Sequence, residues 1–519
     1  MYTTQGLHRA LQQKPDAVAV RCAGRERSYK EFAGRVAKLA GALQSLGVEP
    51  GDRVAMLALN SDLYLEYQFG VWWGGAVVNP CNTRWSTAEI IFSLQDSAST
   101  VLIVDEAFTA MSAQIMSEVG SLVHVIYAGQ GATPPGMLGY ETLIDAAVPI
   151  DDLCRRGEDL AGIFYTGGTT GFPKGVMLSH GNLGASAMAC MAERLAKPGR
   201  VYLHAAPMFH LADMAMSMTH AICGNTHAFV PGFTVEGVLA SITRDRVTDM
   251  LLVPTMIQML VDHPAMQKGP DLSSLRQIYY GASPISEAVL DRAMAALPGV
   301  EFVQAYGMTE LSPIATLNHA WYHTAEGRKA GKLRSAGRAT VGTEVKIVDS
   351  DGVEVARGEV GEVAVRGANV MQGYWNNPAQ TAAAIRDGWM HTGDGAYMDA
   401  DGFIFIVDRM KDMIISGGEN IFSAEVENAI AGHAGVAACA VIGIPHAVWG
   451  ESVHAAIVAK PGATPTAEDI IAHCKALIAG YKCPRSVAFV DQMPLSGAGK
   501  ILKNKLREPF WNDQQRGVG

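Results

Sequence analysis

The sequence lacks any cysteine pattern that would build a disulfide framework or a metal site. Its eight cysteines are scattered, without a C-x-x-C pair and without Cys/His spacing of the metal-ligand type. We therefore expect free thiols, mostly buried, in a reducing compartment. The positions are Cys22, Cys81, Cys154, Cys190, Cys223, Cys439, Cys474 and Cys483.

Long apolar runs and an excess of positive charge are also missing. No stretch approaches the roughly 18 to 20 apolar residues that a membrane-spanning helix needs. Residues 1–16 have no apolar signal-peptide region, and the final Arg-Gly-Val-Gly is not a peroxisomal address. The formal charge of −10, from 41 Lys and Arg against 51 Asp and Glu, does not indicate a nucleic-acid surface. We expect a cytoplasmic protein with no integral membrane segment and no nucleic-acid partner.

What the sequence does contain is enough apolar material for more than one core. It has 519 residues, of which 49% are hydrophobic, so at least two domains are expected. From about residue 28 to 310, amphipathic helical stretches alternate with short apolar stretches. Ser28 suits the N-cap of a helix that ends before Gly47, and residues 53–59 fit a buried strand. Further strands are predicted at 101–104, 123–127, 163–165, 250–253 and 277–280.

This alternation is typical of parallel sheets with crossover helices, in which ligands bind at the carboxyl ends of strands. After Gly331 the pattern changes to short β-type segments at 344–349, 362–366 and 402–407. A second α/β unit follows, with predicted helices at 423–431 and 466–479 and predicted strands at 436–442 and 454–459.

The predicted fold class is α/β, with a large N-terminal domain of parallel and mixed sheets flanked by helices and a β-rich subdomain. A small mobile α+β domain follows it. The predicted boundaries are 1–407 for the N-terminal domain, 408–412 for a charged hinge and 413–519 for the C-terminal domain.

The clearest chemical pattern is the run at residues 165–175, Y-T-G-G-T-T-G-F-P-K-G. It follows a predicted strand, and we expect a helix after it. Its glycines let backbone N–H groups converge on phosphate oxygens, while threonine hydroxyls and Lys174 add donors and charge. A Walker A loop would need Gly before the Lys and Ser or Thr after it. Here Pro173 and Gly175 stand in those places, so the run is a different phosphate loop.

The run resembles the phosphate loop of the adenylate-forming superfamily, which includes acyl-CoA synthetases, aryl-CoA ligases, peptide-synthetase adenylation domains and firefly-type luciferases. Later motifs follow in that family's order, and the resemblance covers roughly residues 5 to 510. They are Gly281-Ala282-Ser283-Pro284, Tyr306-Gly307-Met308-Thr309-Glu310, the segment 389–394 (W-M-H-T-G-D), the segment 408–414 (D-R-M-K-D-M-I), Gly417-Gly418 and the segment 494–502 with Lys500.

The resemblance implies a role for each motif in joining a carboxylate to the α-phosphate of ATP. It implies that Glu310 holds Mg²⁺, Thr309 contacts the α-phosphate and Tyr306 stacks on adenine. Asp394 would accept hydrogen bonds from the ribose, with help from Arg409. The full set of cofactor-binding residues it implies is Thr166, Gly167, Gly168, Thr169, Thr170, Gly171, Lys174, Gly281, Ala282, Ser283, Pro284, Tyr306, Gly307, Met308, Asp394, Arg409, Gly417 and Gly418.

Lys500 is the implied catalytic cation, bridging the attacking carboxylate and the phosphate. In the family the C-terminal domain swings about a hinge, which corresponds to Asp408 here. One pose brings the lysine to the adenylation site. The other removes it and opens a pantetheine tunnel beside Gly417 and Gly418, where a Cβ would intrude. The implied cofactors are ATP, Mg²⁺ and coenzyme A.

The acyl pocket is expected near Pro207-Met208-Phe209-His210. His210 is a candidate for orienting the carboxylate, against the simpler alternative of a structural hydrogen bonder. Met208, Met214, Tyr280 and Gly307 are the other expected pocket residues, and the neighbouring Met216 and Met218 would suit an adaptable apolar wall. Tyr280 stands where relatives tend to have a smaller residue, which would shorten or reshape the pocket.

Two further residues depart from the family pattern. Gly167 replaces the usual Ser of the phosphate loop and removes one hydroxyl. Ser423 replaces the Pro that is common after the hinge-following segment, and the sequence gives no functional meaning to this change.

The resulting hypothesis is an AMP-forming acid–thiol ligase that makes the CoA thioester of an apolar monocarboxylic acid. The acid is left open between a medium- or long-chain fatty acid and an aryl acid such as ferulate or coumarate, and a homodimer is left open as well. Alternatives are an enzyme that loads another acceptor, a peptide-synthetase module, a luciferase-type oxygenase and a catalytically silent nucleotide-binding homologue. A nicotinamide dehydrogenase would need an early G-x-G-x-x-G, which the first hundred residues lack.

Overall fold

The computed structural model describes residues 1–166, 173–283, 285–409, 412–417, 419–497 and 499–511, with Arg409 described by its backbone alone. Its strands are β1 (Val18–Cys22), β2 (Arg25–Ser28), β3 (Arg53–Leu57), β4 (Val77–Pro80), β5 (Val101–Val104), β6 (His124–Tyr127), β7 (Leu138–Gly139), β8 (Leu160–Thr166), β9 (Lys174–Ser179), β10 (Val201–His204), β11 (Thr226–Phe229), β12 (Asp249–Leu252), β13 (Gln277–Gly281), β14 (Glu301–Gly307), β15 (Ile314–Asn318), β16 (Arg338–Ala339), β17 (Thr343–Val348), β18 (Val360–Gly367), β19 (Gly373–Tyr374), β20 (Ile385–Arg386), β21 (Trp389–Met398), β22 (Ile404–Arg409), β23 (Ile414–Ser416), β24 (Glu419–Ile421), β25 (Val436–His446), β26 (Gly450–Ala459) and β27 (Ser486–Phe489).

The α-helices are α1 (Gln5–Gln13), α2 (Tyr29–Ser45), α3 (Asp62–Trp73), α4 (Thr87–Asp96), α5 (Thr109–Glu118), α6 (Tyr140–Ala146), α7 (His180–Ala192), α8 (Leu211–Ile222), α9 (Val235–Asp245), α10 (Pro254–Asp262), α11 (Glu287–Ala296), α12 (Pro378–Ala384), α13 (Ser423–Ala431), α14 (Ala467–Leu477) and α15 (Lys503–Arg507).

Two large sheets form the framework of the N-terminal part. The first runs β16-β15-β14-β13-β12-β10-β11-β1-β2 and the second β19-β9-β8-β4-β3-β5-β6-β7. Strands β10 to β14 pair in parallel in the first sheet, as do β3 to β6 in the second. The edges are antiparallel, for example β14 with β15 and β8 with β9. Parallel centres with crossover helices confirm the predicted α/β class.

Two smaller sheets complete the fold. One has the order β17-β18-β21-β20, with β22 paired to β21, and is the β-rich part expected after residue 331. The other has the order β24-β23-β26-β25, with β27 paired to β26, and encloses its own apolar cluster with α13 and α14. Asp408 and Arg409 of the predicted hinge are the last residues of β22 in one sheet, and β23 of the other sheet begins at Ile414.

The main core lies between the two large sheets and is centred on α3. Every residue of this helix is buried, and its Tyr64, Tyr67 and Trp72 are among the largest fully buried side chains. The same apolar cluster includes Val20 of the first sheet and Val54 of the second. Because α3 is buried on every side, its packing joins the two sheets into one structural unit.

Local signals in the sequence predict several elements closely. Ser28 caps α2 and forms a capping box with Glu31, and Gly47 after the helix has a φ of +84°. The expectation of a helix directly after the phosphate run is wrong. Strand β9 follows instead, because Val176 and Leu178 alternate into the main core in a two-residue period, and α7 begins only at His180.

All eight cysteines are unpaired, as expected. Among the helices of the described ranges, none has both the length and the apolar character that crossing a membrane requires.

Candidate active site

The carboxyl end of β14 brings the predicted adenine residue against the predicted ribose residue. Tyr306 Oη donates a hydrogen bond to Asp394 Oδ2 at 2.8 Å. Asp394 lies on β21 of the β-rich sheet and is buried, and its backbone pairs with Arg409 of β22. The contact joins the first large sheet to the β-rich sheet at the strand ends where a ligand is expected.

Beside it, the predicted adenine loop follows directly on β13. Gly281 ends that strand and pairs with Ala305 of β14, which places Ala282 and Ser283 next to Tyr306. Gly307 allows the close approach of the following segment. A Cβ there would lie 1.8 Å from the carbonyl oxygen of Pro313, so only glycine fits.

After β14 the chain turns through a short 3₁₀ helix, Thr309–Leu311, which buries Glu310. Tyr374 Oη donates to Glu310 Oε1 at 2.8 Å, and Met308 packs against the main core. Burial and the Glu310 carboxylate raise the pKa of Tyr374, so its hydroxyl remains a donor. Sequence reasoning missed Tyr374, because it comes from β19, more than sixty residues after Glu310 in the chain.

The phosphate run is described at its two ends. Thr166 ends β8, Lys174 begins β9, and the two residues are paired in the antiparallel ladder, so the ends of the loop are held together. Lys174 Nζ lies 5.2 Å from the centre of the Tyr374 ring, the same side chain whose hydroxyl holds Glu310. Seven predicted cofactor-binding residues lie outside the described residues, namely Gly167, Gly168, Thr169, Thr170, Gly171, Pro284 and Gly418.

His210 lies within electrostatic reach of Lys500. Burial, together with the smaller effect of the positive charge of Lys500, lowers the pKa of His210 to about 4. The imidazole is therefore neutral near pH 7. Its Nδ1 is buried and has no hydrogen-bond partner among the described residues. His210 is also the N-cap residue of α8, the helix that carries Met214.

The loop that holds Lys500 rests on the N-terminal part of the chain. Arg84 Nη1 donates to the carbonyl oxygen of Ser496 at 3.1 Å, and Thr255 Oγ1 donates to that of Gly499 at 3.4 Å. Gln258 Nε2 adds a third contact, to the carbonyl oxygen of Ala437 at 2.6 Å. The first two contacts hold the lysine loop against the N-terminal part of the chain, and the third holds β25 against it.

The predicted hinge residue takes part in a buried polar cluster. Asp408 Oδ2 accepts a hydrogen bond from the backbone N–H of Ser423 at 2.6 Å. Lys503 forms an ion pair with Glu427 at 2.7 Å and also donates to the Ser423 hydroxyl. Burial raises the pKa of Asp408, while the charge of Lys503 opposes that rise. The cluster gives Ser423 a structural role, because a proline there would have no N–H to donate.

The predicted tunnel glycine lies beside an aromatic stack that sequence reasoning missed. Gly417 donates its backbone N–H to the carbonyl oxygen of Trp449 at 2.9 Å. The Trp449 ring stacks on the His446 ring, with the two ring centres 4.1 Å apart. The guanidinium carbon of Arg485, the residue before β27, lies 3.7 Å from the centre of the Trp449 ring. This stack leaves a cation on the C-terminal surface next to Gly417.

The predicted pocket residues divide between different parts of the core. Met208 and Met214 are buried in the main core. Met216 of α8 packs in another cluster, with Tyr279 of β13. Tyr280 lies in a third cluster with α10 and α11, and its hydroxyl is 2.8 Å from His323 Nε2. Successive strand residues face opposite sides, so Tyr280 does not face the Met216 cluster, and its place in the pocket wall stays a prediction.

Comparison with known proteins agrees with this arrangement along nearly the whole chain. The sequence model of the AMP-binding enzyme family matches residues 7–375, and that of the AMP-binding enzyme C-terminal domain matches residues 425–500. A feruloyl-CoA synthase from Amycolatopsis sp. is 40% identical over 507 residues, covering 97% of this chain and 98% of the relative. A medium/long-chain-fatty-acid–CoA ligase from Mycobacterium tuberculosis is 33% identical over 502 residues, covering 94% of this chain and 86% of the relative.

Among solved structures, ATP-bound MatB from Rhodopseudomonas palustris aligns with a TM-score of 0.88 and 30% identity, covering 98% of this chain and 99% of the other. The order of the motifs, the sheets and both family models agree. The chain therefore belongs to the AMP-binding enzyme family, and its predicted membership of the adenylate-forming superfamily is confirmed.

Proposed function

We propose that the protein is an AMP-forming acid–CoA ligase whose acid is an aryl or phenylpropenoic carboxylate of the ferulate type. In the first step a carboxylate oxygen attacks the α-phosphorus of ATP, and the bond to the pyrophosphate oxygen breaks. In the second step the CoA thiol loses its proton and attacks the acyl carbonyl, and AMP leaves. The observation that supports this best is the Tyr306–Asp394 hydrogen bond at the strand ends, together with a buried His210 that lies within electrostatic reach of Lys500.

The nucleotide end of the site has a proposed role for each described residue. Tyr306 stacks on adenine next to the Gly281 loop, and Asp394 accepts hydrogen bonds from the ribose with the help of Arg409. Thr309 donates to the α-phosphate. Lys174 and Thr166, with the phosphate loop, hold the departing pyrophosphate, because cations and donors there offset the growing negative charge.

Glu310 fits the predicted magnesium ligand by its chemistry. Magnesium prefers carboxylate oxygens and phosphate oxygens, and Glu310 presents a carboxylate that is buried and held by Tyr374. Bound there, Mg²⁺ would neutralise charge on the phosphates. The protein's own part is to keep Tyr374 protonated, so that its hydroxyl fixes the direction of the carboxylate.

Lys500 and His210 act on the acid. The ammonium group stabilises the attacking carboxylate and the phosphate oxygens together, and the neutral imidazole orients the carboxylate by a hydrogen bond. We further propose that the C-terminal domain then turns about Asp408, removes Lys500 and brings Gly417 and Gly418 to the pantetheine chain. Among the described residues, the contacts that would have to break include the hydrogen bonds of Arg84 and Thr255 to the lysine loop.

The choice of acid rests on two observations. The feruloyl-CoA synthase relative is more similar than the medium/long-chain-fatty-acid ligase, at 40% against 33% identity. In addition, Met216 of α8 belongs to the same buried cluster as the aromatic rings of Tyr279 and Tyr202, and aromatic neighbours favour a flat ring over a long chain. A fatty acid is the second candidate, supported by the methionines of α8. The substrates ATP and CoA suit a cytoplasmic protein.

A screen of CoA-dependent AMP release over acetate, hexanoate, palmitate, benzoate and ferulate tests the proposal. Ferulate should give the highest kcat/KM, and a preference for palmitate would transfer the enzyme to the fatty-acid branch. Trapping the acyl-adenylate with hydroxylamine, without CoA, separates the first step from the acceptor. Adenylation without CoA turnover would indicate another acceptor, and no adenylation of any acid would indicate a silent homologue.

Lys500→Ala should abolish acid-dependent ATP–pyrophosphate exchange but leave thioester formation from preformed acyl-adenylate largely intact. Lys505→Ala is the matched control, because Lys505 lies on the exposed side of α15 and pairs only loosely with Glu508, at 3.4 Å. Equal loss of both half-reactions in Lys500→Ala would contradict the swinging-domain assignment.

A further inference from the structure

Asp394 is presented by an irregularity in the β18–β21 ladder. Glu362 lies opposite Gly395, and Ala364 lies opposite His391, so β21 advances four residues where β18 advances two. The surplus residues, among them Asp394, form a bulge. Bulges of this kind turn a side chain out of the regular ladder. The backbone N–H and C=O groups that leave the ladder then need other hydrogen-bond partners.

The side chain of Glu362 supplies that support. Its Oε1 accepts the backbone N–H of Gly393 at 2.9 Å, and its Oε2 lies 2.8 Å from His391 Nδ1. An ionised carboxylate only accepts, so His391 donates from Nδ1. Arg386 adds a weaker contact at 3.3 Å. Gly393 has a φ of +73°, a conformation in which most side chains are strained, so the bulge depends on both its glycine and this carboxylate.

The rest of the bulge converges on Asp394. The Thr392 hydroxyl donates to the carbonyl oxygen of Val363 at 2.9 Å, and it accepts the backbone N–H of Asp394 at 3.1 Å. The Asp394 carboxylate is thereby directed at Tyr306 Oη, 2.8 Å away. Glu362 and Thr392 together hold the backbone on the two sides of Asp394.

We propose that Glu362 is a positioning residue for nucleotide binding, which sets the bulge that aims Asp394 at the ribose. This inference rests on the proposed ribose contact of Asp394. Glu362 acts through the backbone of Gly393 and through His391. Its loss would weaken binding of the ribose in ground state and transition state alike, which raises the KM for ATP and leaves kcat nearly unchanged.

The test compares ATP with 2′,3′-dideoxyATP, which lacks the ribose hydroxyls, in wild type, Glu362→Ala, Glu362→Gln and Asp394→Ala. Glu362→Ala should raise the KM for ATP about tenfold, which corresponds to about 1.4 kcal/mol, with kcat within about twofold. With 2′,3′-dideoxyATP, wild type and Glu362→Ala should have the same KM. Glu362→Gln keeps an oxygen for the Gly393 N–H and should recover most of the loss.

Glu344→Ala is the control, because Glu344 is an exposed glutamate on the adjacent strand β17 that pairs with Arg366 at 2.7 Å. It should leave both KM values unchanged. If Asp394→Ala still distinguishes the two nucleotides, the ribose contact itself is wrong. The positioning role of Glu362 is overturned if Asp394→Ala no longer distinguishes the two nucleotides while Glu362→Ala raises the KM of both nucleotides equally or of neither. Thermal unfolding of each variant identifies any that fail to fold, in which case Glu362→Gln decides.

Discussion

The backbone N–H of Ser423 donates to the carboxylate of Asp408 at 2.6 Å, across the predicted hinge. Both residues are buried, and Ser423 is the first residue of α13. Proline is well tolerated at that helix position but has no N–H, so the family's usual residue could not make this bond. The bond fastens the hinge to the first helix of the C-terminal part.

We predict that Ser423→Pro destabilises the pose seen here. Removing the donor takes one hydrogen bond from the buried Asp408 carboxylate, which costs on the order of 1–3 kcal/mol. The free energy of unfolding of the C-terminal part, followed through Trp449 fluorescence, should fall by that amount. Ser423→Ala keeps the N–H and loses only the hydroxyl contact with Lys503, so it should cost less. A larger loss for Ser423→Ala would assign the effect to the hydroxyl.

His210 should make the protein sensitive to acid. Its pKa is about 4 in the folded state, whereas the unfolded chain takes up that proton near pH 6.5. Between these values the unfolded state binds more protons, so stability falls as the pH drops from about 6.5 to about 4. His210→Gln removes this contribution, and its unfolding midpoint should change less with pH than that of wild type.

The same histidine reports on the position of Lys500. In Lys500→Met the pKa of His210 should rise, but only in part, because burial is the larger cause of its depression. Titration of ¹³C-labelled histidine measures this, and Lys505→Met should leave the pKa where it is. An unchanged His210 pKa in Lys500→Met would mean that the lysine is not held near it in solution.

Tyr374→Phe tests the support of Glu310. The variant keeps the ring beside Lys174 but removes the hydroxyl that donates to Glu310 at 2.8 Å. We expect kcat/KM for adenylation to fall about tenfold, the equivalent of one charged hydrogen bond of about 1.5 kcal/mol, together with a higher Mg²⁺ requirement. A lower kcat/KM at an unchanged Mg²⁺ requirement would show that Tyr374 does not act through the proposed magnesium site.

Substrate range should depend on the face of β13 that meets α8. Met216→Ala would enlarge the space beside Tyr279 and should extend the range of accepted acids. Tyr280→Ala should instead lower stability, by about 3–5 kcal/mol as for other buried aromatic truncations, because Tyr280 is packed on the opposite side. A wider substrate profile in Tyr280→Ala with unchanged stability would return Tyr280 to the pocket wall, as its sequence position first indicated.

Much of this could be predicted from the sequence because the signals are local. Ser28 with Glu31 marks the start of α2, and alternation of apolar stretches predicts the parallel sheets. The phosphate run was misjudged at its far end because Lys174–Ser179 has too few residues to show a clear period, and its strand state depends on pairing with β8. Strand pairing is a tertiary effect that a short segment does not reveal.

The supporting residues of the site were harder to find. Tyr374 reaches Glu310 from a two-residue strand, and Glu362 reaches Gly393 across a bulge. Neither residue belongs to a recognisable run with the group it holds, because each contact is made between distant segments. The side of β13 on which Tyr280 lies was also hard to predict, since a shift of one residue along a strand moves a side chain to the opposite face of the sheet.

The position of β1 has a consequence for how the chain is made. Val20 of β1 pairs in parallel with His227 of β11, so β1 has no partner on that side until a strand about two hundred residues later in the chain has been synthesised. At a synthesis rate of roughly 5–20 residues per second, that gap lasts about ten seconds or more. During this time α1 and the hairpin of β1 and β2 have been synthesised, but one edge of β1 has no partner strand. The second sheet likewise lacks its edge strand β19 until Tyr374 has been synthesised. During this interval the phosphate loop is made, but Tyr306, Glu310 and Asp394 of the nucleotide site are not, and slowing translation ahead of residue 226 would lengthen the time for which β1 has no partner strand.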